Sequence, residues 1–372
     1  MTDVMSVRRS GAYAVSVSAR KVLVRRTDRE YSQPLRLAFQ LAFLALNIWI
    51  GIEFYAWVRY VETSGVTRAA TRPPGIEGWL PIAALMNLKA FIATGEVPRV
   101  HAAGMFLLIA FLAISLLVKK AFCSWLCPVG TISEWLWRWS FVVRRSWLGI
   151  RGAKHKPRTT NRVTKWLDIT FRSLKYLILG FFGWAIAHMS AGEITEFMQS
   201  PYGLIADVKL LNFFRFIGTT GLVVIAIIVV LSLFIENFWC RYLCPYGALL
   251  GLTALASPVR IRRDAGACID CAKCAKVCPA RLPVDSIPQV FSAECAMCMQ
   301  CVAVCPAKGA LEVKITKRRA LPAWSVAAAI ALLLVAAVGV ARLSGHWNTK
   351  IPFELYHELV TNAQTVSHPM PR

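Results

Sequence analysis

Five apolar runs limit what this chain can fold into. They lie near residues 35–57, 102–118, 167–188, 216–236 and 322–342. Each approaches the ~20 residues that a helix needs to cross roughly 30 Å of hydrocarbon. Composition agrees: 56% of the residues are hydrophobic and 17% are charged, against about 25% charged in soluble domains. The second run is the shortest. The third carries Asp168, Arg172 and Lys175 in its first half, charges expected to snorkel or to sit at the interface. A sixth segment, Trp79 to Thr94, is broken by Pro81 and reads either as an interfacial or re-entrant helix or as an ordinary packed helix between spans.

Basic residues alternate between the loops. The tail to Gln33 holds seven basic and three acidic residues, segment 119–166 eleven and one, and segment 237–321 twelve and five. The intervening segments 58–100 and 189–214 hold five and three, and one and three. Lys and Arg collect on the cytoplasmic side, so the N-terminus and residues 237–321 are expected inside and the C-terminus outside. The net charge of +23 then needs only topology and anionic lipid, and no nucleic-acid site. Arg8-Arg9 hints at a twin-arginine signal, but no long apolar stretch follows it, so the start reads as a basic cytoplasmic tail.

All twelve cysteines fall into two kinds of motif. Cys268, Cys271, Cys274 and Cys278, and Cys295, Cys298, Cys301 and Cys305, both follow C-x-x-C-x-x-C-x-x-x-C-P. This is the spacing of bacterial two-cluster ferredoxins, in which the fourth cysteine of each run serves the other cluster. One [4Fe–4S] cluster is therefore assigned to Cys268, Cys271, Cys274 and Cys305, and the other to Cys295, Cys298, Cys301 and Cys278. Pro279 and Pro306 stop the helix after the crossing cysteine. The small residues Ala272, Ala275 and Ala296 let backbone N–H groups approach the sulfurs. Zinc ribbons use ligand pairs rather than runs of four, and disulfides do not suit a cytoplasmic segment.

The other four cysteines sit in a repeat. Phe122-Cys-Ser-Trp-Leu-Cys-Pro-Val-Gly130 stands against Trp239-Cys-Arg-Tyr-Leu-Cys-Pro-Tyr-Gly247. Each copy follows an apolar run, and Cys123/Cys127 and Cys240/Cys244 lie four apart, on one side of a helix. If the copies pack together, four thiols converge. They are candidates for a third metal or cluster, for redox-active disulfides, for passing electrons to the bilayer, or simply for helix packing.

His101 and His188 are candidates for haem or quinol contact, or plain interfacial histidines. Asp207 and Lys209 are candidates for proton transfer from a quinol. His346, His357 and His368 have no ligand spacing. There is no phosphate-binding glycine loop, nucleophile triad or flavin attachment motif.

These motifs resemble the NapH/NosR family of membrane polyferredoxins, and within it the YccM type of electron transport protein. The resemblance rests on Gly75–Pro81, Lys119–Gly130, Trp239–Gly251 and Cys268–Pro279. It implies an inner-membrane electron carrier between the quinone pool and a reductase. The sequence lacks the large N-terminal flavin-type domain of NosR and the large C-terminal domain of the FixG/CcoG relatives, some of which are linked to copper reduction.

The expected fold is an all-α polytopic membrane protein of about five transmembrane helices with an inserted α+β bicluster ferredoxin domain. Residues 1–33 form the basic tail and 34–257 the membrane core with four spans. Residues 258–320 form the ferredoxin domain, 321–343 the fifth span and 344–372 a periplasmic tail. The expected activity is one-electron transfer through two [4Fe–4S] clusters between quinone or a soluble donor and a partner redox protein, in a bacterial inner membrane. Two other readings stand beside it: a copper or iron reductase using Cys123, Cys127, Cys240 and Cys244, and an assembly factor for a respiratory reductase.

Overall fold

The computed structural model describes residues 24–26, 30–67, 69–147, 162–315, 319–349 and 351–369; most of the N-terminal tail lies outside them. Its longest helix, Ser32–Glu62, follows the first apolar run. Its start is not apolar: Arg36 and Gln40 are buried there. Arg36 donates to both oxygens of Glu134, at 2.8 and 2.7 Å, and Gln40 to Ser124 O at 3.0 Å. These bonds fix one end of this helix to the helix Pro128–Trp147.

The second apolar run forms Ala102–Val118, with eleven of its 17 residues buried. It spans about 26 Å at 1.5 Å per residue. It packs against Pro81–Thr94, Pro245–Thr253 and Ala323–Leu343, and so forms the core of this half of the molecule. It stops because Lys119 takes a left-handed φ of 59°, a conformation costly for any side chain. Ser257 Oγ accepts the Lys119 N–H at 3.1 Å.

Three helices are long and apolar enough to cross a membrane: Ser32–Glu62, Trp166–His188 and Ala323–Leu343. The pair Ala206–Arg215 and Thr219–Phe234, bent by 83°, makes a fourth if taken as one broken span. Five runs therefore become three or four candidate spans among the described residues. The run at 102–118 forms a shorter apolar helix of 17 residues, and that at 216–236 is bent at its start. The sixth segment is broken at Pro81: one short helix ends at Trp79 and the next begins at the proline. It sits in the first turn of Pro81–Thr94, where its missing N–H would have had no partner.

The charges of the third run have protein partners. Lys175 is fully buried and donates to both oxygens of Glu294 at 2.6 and 2.7 Å. Asp168 accepts from Arg241 at 2.9 and 2.7 Å and from Tyr242 at 2.6 Å. Arg172 bonds Ala280 O at 3.1 Å. The helix Arg162–His188 thus runs on into the cysteine-rich region.

That region contains the only sheet among the described residues. Strands β1, Arg260–Arg263, and β2, Leu311–Lys314, pair antiparallel from Arg260↔Lys314 to Arg263↔Leu311. The tail also reaches it: Arg26 N bonds Pro306 O and Lys308 N bonds Val24 O, both at 2.9 Å. Residues 24–26 are therefore an added edge of the cluster region, not part of a loose tail.

A buried ionic knot ties the far end. Arg72 donates to Asp207 at 2.8 Å and to Glu77 at 2.9 Å. His101 Nδ1 lies 3.4 Å from Glu77, and its Nε2 lies 2.9 Å from Gly203 O. Thr349 donates to Glu77 at 2.6 Å. Burial pushes the Glu77 carboxyl up, but Arg72 and His101 outweigh it and hold its pKa at about 2. Burial likewise pushes the His101 imidazolium down, and Glu77 and Asp207 raise it by more. The depressed Glu77 contributes stability that is complete above its unfolded value of 4.5 and lost as pH falls toward about 2. The raised His101 contributes stability that is complete below its unfolded value of 6.5 and lost as pH rises through its folded value. Thermal unfolding in detergent is expected to show both limbs in the wild type, with the acid limb reduced in Glu77→Gln. Identical pH profiles for the two proteins would refute this assignment.

Candidate redox centre

The two cysteine loops share an unusual backbone. Asp270 and Ala272 in the first, and Met297 and Met299 in the second, all take φ between 50° and 57°. They occupy equivalent positions of C-x-x-C-x-x-C. Such strain persists only where the surroundings enforce it, and alternating handedness turns successive N–H groups into a concavity that suits negative charge. Each loop ends in a short helix, Lys273–Val277 and Gln300–Ala303, that stops just before the fourth cysteine.

Cys268, Cys271, Cys274 and Cys305 line one small cavity together with Arg263 and Asp285. Arg263 Nε donates to Cys268 Sγ at 3.2 Å. Cys278, Cys295, Cys298 and Cys301 stand close enough for their sulfurs to interact electrostatically. Cys295 and Cys301 are buried, 7% and 5% exposed, and Leu282 N–H points at Cys278 Sγ at 3.4 Å. Burial pushes the Cys274 and Cys298 thiols up to about 11, so these sulfurs become thiolates only beside strong positive charge, which iron supplies. Among the described residues no three His, Cys, Asp or Glu side chains gather tightly enough for a single ion, and all twelve cysteines are free thiols. Thiolates at the corners of a four-iron cube stand farther apart than ligands of one ion.

A buried cation adds to the fit. Lys119 Nζ is fully enclosed and makes no hydrogen bond among the described residues. Burial lowers its pKa, and the Cys295 sulfur is the negative group that opposes this. A thiolate-bound iron centre at Cys295 would be the missing counter-charge, and the residues present fit one. A unit charge within a few ångströms acts at about 2–4 kcal/mol for an effective dielectric near 20, about 90–170 mV for one electron. Lys119→Met is therefore expected to lower the midpoint potential of the centre at Cys295 by roughly that much. EPR-monitored redox titration reads this, with the centre at Cys268 as internal control. Equal potentials in variant and wild type would exclude the role.

The membrane-side repeat is built as two short helices meeting at cysteine and proline. In the first copy Phe122–Trp125 ends before Cys127 and Pro128 starts the next helix. In the second, the π-turn Trp239–Leu243 ends at Cys244, whose Sγ accepts Gly247 N–H at 3.2 Å and caps Pro245–Thr253. Glycine at 130 is required, because any side chain there would collide with the Cys123 carbonyl.

Both copies dock on the same half of the cysteine region. Ser124 bonds Ala296 O at 2.5 Å and Trp125 Nε1 bonds Met297 O at 3.0 Å, both beside Cys295. Arg241 bonds Pro279 O at 2.9 Å, beside Cys278. Cys123, Cys127, Cys240 and Cys244 interact electrostatically with one another, and Cys123, Cys240 and Cys244 also with Lys120. All four line a cavity of about 830 Å³ that also touches Pro279, Ala280 and Glu294. The sequence placed these cysteines at helix ends but carried no sign of which cluster motif they would meet.

The remaining candidates scatter. His101 is 1% exposed and locked in the ionic knot, whereas His188 is exposed and bonded to Trp184 O. Asp207 serves Arg72 and Lys209 serves the carbonyls of Ala363 and Val366, so they do not form a pair. His357 meets Ser64, His368 stacks near Tyr202, and His346 Nδ1 is buried without a partner among the described residues.

This combination of apolar helices and paired cysteine loops is the build of a polyferredoxin-type electron transport protein. Family models described as a 4Fe-4S binding domain match residues 100–150 and 217–263, over the two membrane-side repeats, and a 4Fe-4S dicluster domain matches residues 260–306. The chain is 48% identical over 339 residues to YccM of Escherichia coli strain K12, whose name assigns it to electron transport, covering 90% of this chain and 91% of that one. It is 29% identical to the ferredoxin-type protein NapH of Haemophilus influenzae, over 64% of this chain and 72% of that one. It is 29% identical to the methylamine utilization ferredoxin-type protein MauN of Methylorubrum extorquens, over 55% and 62%. The chain belongs to the YccM and NapH family of ferredoxin-type electron transport proteins. No solved structure matches it.

Proposed function

We propose that this protein carries single electrons between the quinone pool and a partner oxidoreductase. Cys268, Cys271, Cys274 and Cys305 would hold one [4Fe–4S] cluster, and Cys295, Cys298, Cys301 and Cys278 the other. Such clusters exchange one electron at a time at potentials set by charge, hydrogen bonds and exposure. The observation that carries this reading is the docking of both membrane-side repeats on the residues flanking Cys295 and Cys278. It joins the bilayer-facing cavity to the buried cysteine set, while the set at Cys268 lies nearer the surface for a soluble partner.

Within this reading Cys123, Cys127, Cys240 and Cys244 hold a third iron–sulfur centre at the junction. The match of their segments to a 4Fe-4S binding domain supports it, as does the cluster of sulfurs around Lys120. The excess of basic residues in 119–166 and 237–321 supports an inner-membrane orientation with the N-terminus and cysteine loops cytoplasmic and the C-terminus periplasmic.

Anaerobic purification with iron and sulfide counting tests the number of centres. EPR after addition of a reduced short-chain quinol tests the donor. Reduced-cluster signals are expected from quinol alone. Signals that appear with dithionite but never with quinol would exclude quinol oxidation.

A further inference from the structure

The helix Ser32–Glu62 carries two charged residues within the apolar run 35–57, Arg36 and Glu53. Arg36 is neutralised by Glu134. Glu53 is half-buried and has no hydrogen bond or ion pair among the described residues. An unpaired carboxylate within a membrane-spanning segment is costly and marks function. Glu53 lines the same 830 Å³ cavity as the four junction cysteines.

That cavity has two ends. Gln33, at the start of the helix, bonds Cys298 O at 3.0 Å. Glu53 lies twenty residues further on, about 30 Å along the axis at 1.5 Å per residue. The helix Ala323–Leu343 gives the same direction. It begins beside β2, where Leu321 N bonds Val313 O at 2.7 Å, and its far end brings Arg342, Trp347 and Asn348 to the cavity. Between the ends the lining is apolar and aromatic, with Ile50, Leu107, Phe111 and Leu334. A flat apolar-tailed ring with two polar oxygens suits such a space.

We infer that Glu53 is the proton acceptor of a quinol site in this cavity, and that electrons and protons leave it at opposite ends. The inference rests on the quinone reading above. A hydroquinone loses two protons and two electrons as its two O–H bonds break. Iron–sulfur centres held by the cysteines at the other end would accept the two electrons one at a time. The Glu53 carboxylate takes the first proton, releases it to water at the far end beside Thr71 and Arg72, and takes the second. The product is the quinone.

The test uses the full-length holoprotein in detergent. Quinone binding is read by quenching of the cavity tryptophans Trp49, Trp79, Trp239 and Trp347, a signal that needs no cluster. Glu53→Gln is expected to bind a short-chain quinone as wild type does and to give the same EPR spectrum after dithionite. Its rate of cluster reduction by quinol is expected to fall at least tenfold. Formate, a small acid able to reach the cavity, is expected to restore part of that rate, and Glu53→Asp to keep most of it. A purely structural role would not respond to formate. An undiminished quinol rate in Glu53→Gln overturns the assignment while leaving the quinone reading standing. Failure of quinol to reduce the wild-type clusters overturns both.

Discussion

Cys278→Ser is expected to remove the cluster shared with Cys295, Cys298 and Cys301 and to spare the one at Cys268. Bound iron should drop by about four atoms per chain, the content of one cube. Cys305→Ser should do the converse and remove the centre lined by Cys268, Cys271 and Cys274. The two variants are distinguishable because the sites differ in surroundings. Cys295 and Cys301 are buried against the membrane-side repeat, whereas Arg263 donates to Cys268 from a more open face. Loss of the Cys278 centre should also abolish reduction of the Cys268 centre by quinol, since both repeats dock there. Loss of the Cys305 centre should leave the first electron transfer intact and stop delivery to a soluble acceptor. EPR of each variant checks both statements. Should Cys278→Ser instead remove the centre of its own run, with Cys295, Cys298 and Cys301 still loaded, the crossed pairing would be wrong.

Arg72→Ala is expected to destabilise the fold by about 3–5 kcal/mol, the cost of leaving buried charge without its partner. The side chains of Glu77 and Asp207 are both fully buried, and Arg72 bridges them. Without it two carboxylates share a buried pocket with one histidine. Arg72→Lys should recover only part of the loss, because an ammonium cannot reproduce the fork that serves both acids. The triple variant Arg72→Met, Glu77→Gln, Asp207→Asn should cost less than Arg72→Ala alone, since it removes the stranded charges. Denaturant or thermal unfolding in detergent measures all three. A loss below about 1 kcal/mol for Arg72→Ala would show that water reaches the knot.

Much of the chemistry was legible from spacing. Twelve cysteines in two motif types specify what can bind, because a four-iron cube demands three ligands from one tight loop and one from elsewhere. Even so, the strain at Asp270, Ala272, Met297 and Met299 was hidden, since none of these is glycine. Hydrophobicity located the helices, and Ala102–Val118 keeps the bounds of its apolar run. The 83° bend that sets Thr219–Phe234 off from Ala206–Arg215 was not legible. The partners of the charges within the third apolar run were not legible because they lie far off in sequence: Lys175 meets Glu294, and Asp168 meets Arg241.

The sequence alone determined the cofactor class and the presence of a helical, apolar body, because ligand spacing and hydropathy are local properties. Tertiary structure decided which cysteine set faces the repeats, that Lys119 is a buried cation without a hydrogen-bond partner among the described residues, and that Glu53 shares a cavity with four thiols. Those facts depend on residues tens to hundreds of positions apart being packed together, and no local pattern encodes such contacts.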